Sequence, residues 1–92
     1  SLSQFIMRIE FHRRFRGRYK KAPLHIRRQF NERLLLFEKD FFSPLLNTHP
    51  LTGDRKGQWS INITGDWRAI YIWNDEDTAI FLDIDTHSNL YE

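Results

Sequence analysis

The chain has 92 residues, of which 40% are hydrophobic and 28% charged. This length gives one domain, and the composition excludes a disordered or membrane-embedded chain. Cysteine is absent, so neither a disulfide framework nor a thiolate zinc site is expected. We expect a single domain over residues 1–92. Met7 is the only methionine, so residues 1–6 are either native or an extension ahead of an alternative start.

Charge is distributed unevenly along the chain. Residues 1–40 hold eleven Lys or Arg against four Asp or Glu, whereas residues 41–92 hold three against eight. A basic half is typical of a protein that binds a polyanion, because neutralising phosphates releases counterions. The alternative is a helix surface that is rich in Lys and Arg for solubility.

The first half predicts one strand and two helices. Residues 5–10 favour a short strand because they are rich in β-forming residues. Phe11, Phe15 and Tyr19 then recur every four residues between basic side chains, which predicts an amphipathic helix. Pro23 can open a second helix, whose apolar stripe consists of Ile26, Phe30, Leu34, Phe37 and Phe41.

The second half predicts three strands. Residues 58–64 alternate between apolar and polar side chains, which is the period of a strand with one buried face. Residues 67–73 and 78–84 form two further strands, and polar turns separate the three. Close turns between successive strands indicate an antiparallel meander.

The resulting order is β-α-α-β-β-β, which predicts an α+β domain of two layers with an antiparallel sheet packed on two N-terminal helices. Because the helices cover one face of the sheet, the other face and the C-terminal segment must offer any concave site. We expect the polar residues with a chemical role to cluster there.

Several familiar sites are excluded. The sequence has no Gly-rich phosphate loop, no His-Glu-x-x-His helix, no EF-hand loop and no Cys/His zinc spacing. The remaining His, Asp and Arg residues suit RNA cleavage through the 2′-hydroxyl, which needs a base, an acid and a cation at the crowded phosphorane. Without a metal or other cofactor, these roles can be filled by His87, by His49 or Asp66, and by Arg68.

Each candidate also has a purely structural interpretation. His87 can cap the last strand, His49 can be incidental in its loop, and Asp66 can serve the turn it occupies. Arg68 lies within a strand and must be either paired or exposed to solvent. Four aromatic residues can pack in the core or face an RNA path: Trp59, Trp67, Trp73 and Tyr91.

Four blocks of the sequence are similar to toxins of the RelE/ParE superfamily, and most similar to its YafQ-like branch. The blocks are His49-Pro50-Leu51-Thr52-Gly53-Asp54, Lys56-Gly57, Gly65-Asp66-Trp67-Arg68-Ala69-Ile70-Tyr71 and Thr86-His87-Ser88-Asn89-Leu90-Tyr91. The separations of the blocks and the order of elements also resemble the family, from Met7 onward. The first and last blocks are the most specific parts of the resemblance.

The resemblance implies a microbial-RNase-like fold and a toxin of a type II toxin–antitoxin system that cleaves mRNA on the ribosome. Arg68 matches the strand arginine that contacts the scissile phosphate, and the active-site counterparts are His49, Asp66, Trp67, His87 and Tyr91. We assign further RNA contacts to Lys56, Trp67, Asn62, Arg13 and Arg14.

Two departures from the family bear on activity. YafQ has a second His where this chain has Asn62 and an Arg where it has Asp83, and RelE-like members have lysines at the positions of Ser60 and Asn62. An Asp in place of a phosphate-binding Arg removes a favourable charge, so the cation at the phosphate would be Arg68, helped by Lys56. The strength of the nuclease is left open by these differences.

The leading interpretation is a cytoplasmic, ribosome-dependent endoribonuclease, or mRNA interferase, with His87 preferred as the acid and His49 or Asp66 as the base. The expected partners are a cognate antitoxin, the ribosome and mRNA, and no membrane is involved. One alternative is a non-enzymatic, ParE-like gyrase inhibitor on the same fold, and another is a catalytically weakened relative that binds antitoxin. The closing block, residues 86–91, favours the nuclease.

Overall fold

The computed structural model describes residues 7–91. The elements in that range are β1 Arg8–Phe11, α1 Arg13–Lys21, α2 Leu24–Lys39, β2 His49–Pro50, β3 Trp59–Asn62, β4 Trp67–Trp73, β5 Thr78–Thr86 and α3 His87–Tyr91. Two short 3-10 turns, Pro44–Leu46 and Gly53–Arg55, flank β2. The start of the predicted first strand and the origin of residues 1–6 lie outside the described residues. Within residues 7–91, no helix is both long and apolar enough to cross a membrane.

The strands form one sheet in the order β1-β5-β4-β3-β2. Strands β2 to β5 pair antiparallel, which confirms the predicted meander and, with the helices, the α+β class. The sheet as a whole is mixed, because β1 pairs parallel with β5, with Arg8 opposite Thr78. The prediction of an antiparallel sheet therefore holds for β2 to β5 and not for β1. The chain leaves β1 through two helices and not through a tight turn, so local turn geometry does not set the direction of this strand.

The helices cover one face of the sheet with an aromatic core. Phe81, in the middle of β5, has its ring centroid 5.3–6.0 Å from those of Phe11, Phe15, Phe30, Phe37 and Tyr71. These separations are typical of favourable aromatic pairs. The packing therefore fastens β1, α1 and α2 to the two central strands.

The first helix begins later than its periodicity predicts. Phe11 ends β1, and the helix starts after His12, whose Nδ1 accepts the backbone N–H of Arg14 at 3.0 Å. Phe11 still stacks on Phe15, with centroids 5.2 Å apart. A strand residue that lies beside a helix thus mimics the four-residue spacing of a helix face.

The predicted stripe of the second helix is confirmed over most of its length. Ile26, Phe30 and Phe37 are buried, and Leu34 packs at the edge of the same core. Phe41 lies beyond the end of α2 at Lys39. It continues the apolar surface from a turn and not from a helix.

The opposite face of the sheet carries a second, small cluster formed by Leu51, Ile70 and Leu90. Leu51 directly follows β2, Ile70 lies in β4 and Leu90 belongs to α3. The cluster therefore draws the β2 loop and the C-terminal helix together over the middle of β4. Leu51 also lines a cleft on this face.

Tyr71 carries a buried hydroxyl that has no hydrogen-bond partner within the described structure. Its side chain is fully buried, and this burial raises the pKa of the Tyr71 phenol well above its ordinary value. A buried polar group without a partner costs about 1–3 kcal/mol. The ring stabilises the core while its hydroxyl opposes folding.

We therefore predict that Tyr71→Phe raises the free energy of unfolding by about 1 kcal/mol, because it removes the unpaired hydroxyl and keeps the ring. Urea unfolding followed by tryptophan fluorescence measures the change. Tyr19→Phe is the matched control, since the Tyr19 hydroxyl donates to Oδ1 of Asn31 at 2.8 Å. That variant should lose about 0.5–1 kcal/mol. A destabilised Tyr71→Phe protein would contradict this account.

Candidate active site

A cleft of about 460 Å³ lies between β2, β4 and α3. Its wall is formed by Asn47, His49, Pro50, Leu51, Thr52, Arg55, Arg68, His87 and Tyr91. These nine residues include two imidazoles, two guanidinium groups and a phenol, and none of them is acidic. Elsewhere in residues 7–91, as in the cleft, no group of three or more His, Asp or Glu side chains is arranged to hold a metal ion. The cleft is a basic surface suited to an anion.

Four predicted site residues meet in this cleft, although they come from three separate parts of the chain. They are His49 from β2, Arg68 from β4, and His87 and Tyr91 from α3. The antiparallel pairing of β2 with β3 and of β3 with β4 brings the first two together. The small hydrophobic cluster brings α3 to them.

His87 is the first residue of α3 and follows directly on β5. Its backbone N–H donates to the carbonyl of Asp66 at 2.7 Å, and its ring centroid lies 4.6 Å from that of Tyr91. The four-residue spacing places both rings on one side of a helical turn. The two side chains thus enter the cleft as a pair.

His49 has a defined tautomer. Its Nδ1 lies 2.7 Å from the carbonyl oxygen of Asn47, and a carbonyl can only accept a hydrogen bond. Nδ1 therefore carries the proton in the neutral ring and donates it, which leaves Nε2 with a free lone pair. Asn47 presents this carbonyl from a left-handed conformation, with φ at 47°.

Arg68 is held at one end of its guanidinium group. Its Nη1 donates to the carbonyl oxygens of residues 64, 65 and 67 at 3.0, 3.2 and 3.1 Å. No hydrogen bond within residues 7–91 engages its Nε or Nη2. The turn before β4 therefore fixes the cation and leaves donors for an anion in the cleft.

Arg55 is a cleft residue that the sequence analysis missed. It ends the Gly53–Arg55 turn and donates from Nη1 to Oε1 of Gln58 at 3.3 Å. The sequence predicted its neighbour Lys56, which is exposed and outside the cleft wall. Positive φ angles of 64° at Gly53 and 96° at Gly57 shape this turn. A sequence pattern does not show which of two adjacent cations such a turn directs inward.

The remaining candidates lie outside the cleft wall. Asp66 is exposed in the turn before β4 and meets His87 through its backbone carbonyl and not through its carboxylate. Trp67 packs against the helix side of the sheet. Asn62 lies opposite Arg68, and its Oδ1 is buried without a partner in the described structure. Arg13 and Arg14 are exposed on α1.

Asp83 stands where the family resemblance expects an arginine, and it is not among the residues that form the cleft wall. Its side chain is buried, and its Oδ1 lies 3.2 Å from Nε of Arg18. Its negative charge is therefore paired with a cation of α1.

A family model matches most of the chain. Residues 9–91 match the model of the ParE toxin of the type II toxin–antitoxin system parDE. The chain therefore belongs to this toxin family, which confirms the RelE/ParE superfamily that the sequence blocks predicted. No curated protein sequence matches the chain.

Solved structures of toxins share the fold. A YoeB/ParE toxin from Agrobacterium tumefaciens has a TM-score of 0.73 at 20% identity, covering 88% of this chain and 99% of that one. A chain of the DinJ–YafQ toxin–antitoxin complex from E. coli has a TM-score of 0.70 at 18% identity, and the match covers 94% of this chain and 98% of that one. A chain of the toxin–antitoxin complex RelBE2 from Mycobacterium tuberculosis has a TM-score of 0.61 at 24% identity, and the match covers 89% of this chain and 99% of that one.

The hydrogen bond to Asn47 predicts that neutral His49 is protonated at Nδ1. A long-range ¹H–¹⁵N NMR experiment on the imidazole nitrogens distinguishes the two tautomers. His25 is exposed on α2 and serves as the control, because an imidazole without a partner prefers the Nε2–H form. Finding His49 in that same form would remove it as a candidate base.

Proposed function

We propose that this toxin is an endoribonuclease that cleaves mRNA on the ribosome by acid–base attack of the 2′-hydroxyl. The observation that carries the proposal is the composition of the cleft, which combines two imidazoles with two guanidinium groups and has no acidic residue in its wall. Imidazoles exchange protons near neutral pH, and guanidinium groups bind phosphate oxygens. The resemblance in residues 86–91 adds to this support.

His49 is proposed as the general base. Its free Nε2 can accept the proton of the ribose 2′-hydroxyl, while the Asn47 carbonyl stabilises the charge that develops on the ring. The 2′-oxygen then attacks phosphorus, and the bond from phosphorus to the 5′-oxygen breaks. The products are a 2′,3′-cyclic phosphate and a 5′-hydroxyl end.

His87 is proposed as the general acid. In its protonated form it donates a proton to the departing 5′-oxygen, and Tyr91, with its ring 4.6 Å away, limits the orientations of the imidazole. Asp66, the alternative base of the sequence analysis, is less favoured because its carboxylate is outside the cleft wall.

Arg68 is proposed to stabilise the phosphorane. The turn before β4 already holds one end of its guanidinium group, so little ordering is required when the negative charge develops. Arg55 provides a second cation in the same cleft. It replaces Lys56 as the proposed helper of Arg68.

The proposed partners follow from charge and from the relatives. α1 has six Lys or Arg among nine residues and no acidic residue, which suits contact with ribosomal RNA in the cytoplasm. Two of the similar structures are toxin–antitoxin complexes. We infer a cognate antitoxin whose acidic segment covers either α1 or the cleft.

A second candidate function comes from the family match itself. The chain matches the ParE toxin model, and the alternative left open by the sequence resemblance is a non-enzymatic, ParE-like gyrase inhibitor on the same fold. Inhibition by binding needs no pair of imidazoles in a cleft. Supercoiling of a plasmid by purified gyrase and cleavage of mRNA on ribosomes separate the two functions. The cleft favours cleavage.

We predict that His87→Ala lowers ribosome-dependent mRNA cleavage by about 100-fold or more and abolishes growth inhibition, because it removes the general acid. His87 is exposed, so the circular dichroism spectrum and the melting temperature should be unchanged. His25→Ala is the matched control and should keep full activity, since His25 lies on α2 away from the cleft wall.

A fully toxic His87→Ala protein would overturn the nuclease assignment. If that protein also blocked gyrase, the binding function would replace it. A wild-type chain that binds antitoxin but neither cleaves RNA nor inhibits gyrase would identify the catalytically weakened relative.

A further inference from the structure

α3 carries both His87 and Tyr91, yet it has only five residues. A helix of this length is not stable by itself in water. Its position must therefore come from contacts with the rest of the domain. Two of these contacts are the burial of Leu90 and the bond from the His87 N–H to the Asp66 carbonyl.

The start of the helix is fixed by Thr86. Its Oγ1 accepts the backbone N–H of Asn89 at 3.3 Å, which is the bond of an N-cap residue to the third residue of a helix. The N-cap bond, the Leu90 contact and the bond to Asp66 set the direction of α3. One further contact holds the exposed side of the helix.

Asp85 supplies that contact. Its Oδ1 accepts the backbone N–H of Thr86 at 2.8 Å and the side-chain amide of Asn89 at 3.1 Å. Its Oδ2 accepts Nη1 of Arg18 at 2.5 Å. One carboxylate thus joins α1, the end of β5 and α3.

Arg18 binds Asp85 from α1. Its Nε pairs with Asp83 at 3.2 Å while its Nη1 pairs with Asp85, so one guanidinium group spans two carboxylates two residues apart on β5. Both carboxylates are largely buried, and the cation is about half exposed, at 43%. The charged pair holds Asp85 in one orientation, since a carboxylate with a fixed partner loses its rotational freedom.

None of these side chains lies in the cleft wall. Arg18, Asp85 and Asn89 are absent from the residues that form it, so they do not meet a substrate there. Asn89 belongs to α3, so an effect of its side chain on cleavage would act through that helix.

We propose that Asp85, held by Arg18 and bonded to Asn89, is a positioning residue that fixes α3 and thereby sets the orientation of His87 in the cleft. The proposal rests on the proposed function for its effect on the rate. Its structural part, the orientation of the His87 ring against Tyr91, is independent of that function.

The test compares substitutions of two adjacent exposed residues of α3. Asn89→Ala removes the amide donor and keeps the backbone N-cap bond, whereas Ser88→Ala changes a neighbour whose side chain makes no hydrogen bond within residues 7–91. Asn89→Gln keeps an amide that can still reach Asp85. The full chain is used, with cleavage measured on programmed ribosomes and NMR spectra of the His87 imidazole recorded on the same samples.

We expect Asn89→Ala to lower kcat by about 10-fold with KM unchanged, because misplacing a catalytic group by a fraction of an ångström affects the reacting step. The ring-current shift that Tyr91 imposes on the His87 ring protons should decrease. The melting temperature should stay within about 1 °C, since surface substitutions have small effects on stability. Asn89→Gln should regain most of the rate, and Ser88→Ala should match the wild type.

Asp85→Ala should give a larger loss of kcat, about 10- to 100-fold, because it breaks the bonds to both helices. Equal kcat values and unchanged His87 shifts in wild type and Asn89→Ala would overturn the proposal. A lower kcat that is the same in Asn89→Ala and Ser88→Ala would overturn it as well. If the wild type does not cleave RNA, the proposed function fails, and the His87 shifts still decide whether Asp85 positions the helix.

Discussion

Aromatic packing around Phe81 is the interaction on which the rest of the domain depends. Phe81 lies in β5, which pairs with β1 on one side and β4 on the other, and its ring meets rings from β1, α1, α2 and β4. A domain of this size buries a limited share of its surface, so large rings at the centre supply much of the stabilising contact. Because the core uses only one face of the sheet, the other face is free to carry the cleft.

The cleft is built on that other face with very little hydrophobic material. Leu51, Ile70 and Leu90 are enough to draw the β2 loop and α3 over β4. Short segments of this kind are stabilised mainly by their contacts and not by their own propensity. The hydrogen bonds of Thr86 and Asp85 add to these three apolar contacts in holding α3 in place.

Charge is sorted by position in the fold and not only by position in the chain. Residues 41–92 are acidic overall and contain three Lys or Arg, and two of those three, Arg55 and Arg68, line the cleft. Asp83 and Asp85 of the same half are both paired with Arg18 from α1. The cleft wall is therefore basic, although it comes from the acidic half of the sequence. A basic wall attracts the phosphates of a nucleic acid.

The sequence by itself determined the α+β class, the two helices, the three-stranded meander and the family, because hydrophobic periodicity and short motifs are local properties. It also identified His49, Arg68, His87 and Tyr91, which the structure brings into one cleft. The tertiary structure alone decided the parallel pairing of β1, the exclusion of Asp66 and Trp67 from the cleft wall, and the choice of Arg55 over Lys56. It also showed Asp83 and Asp85 paired with Arg18, 65 and 67 residues earlier in the chain. Side-chain direction and long-range pairing depend on how distant segments pack, and no local pattern records that.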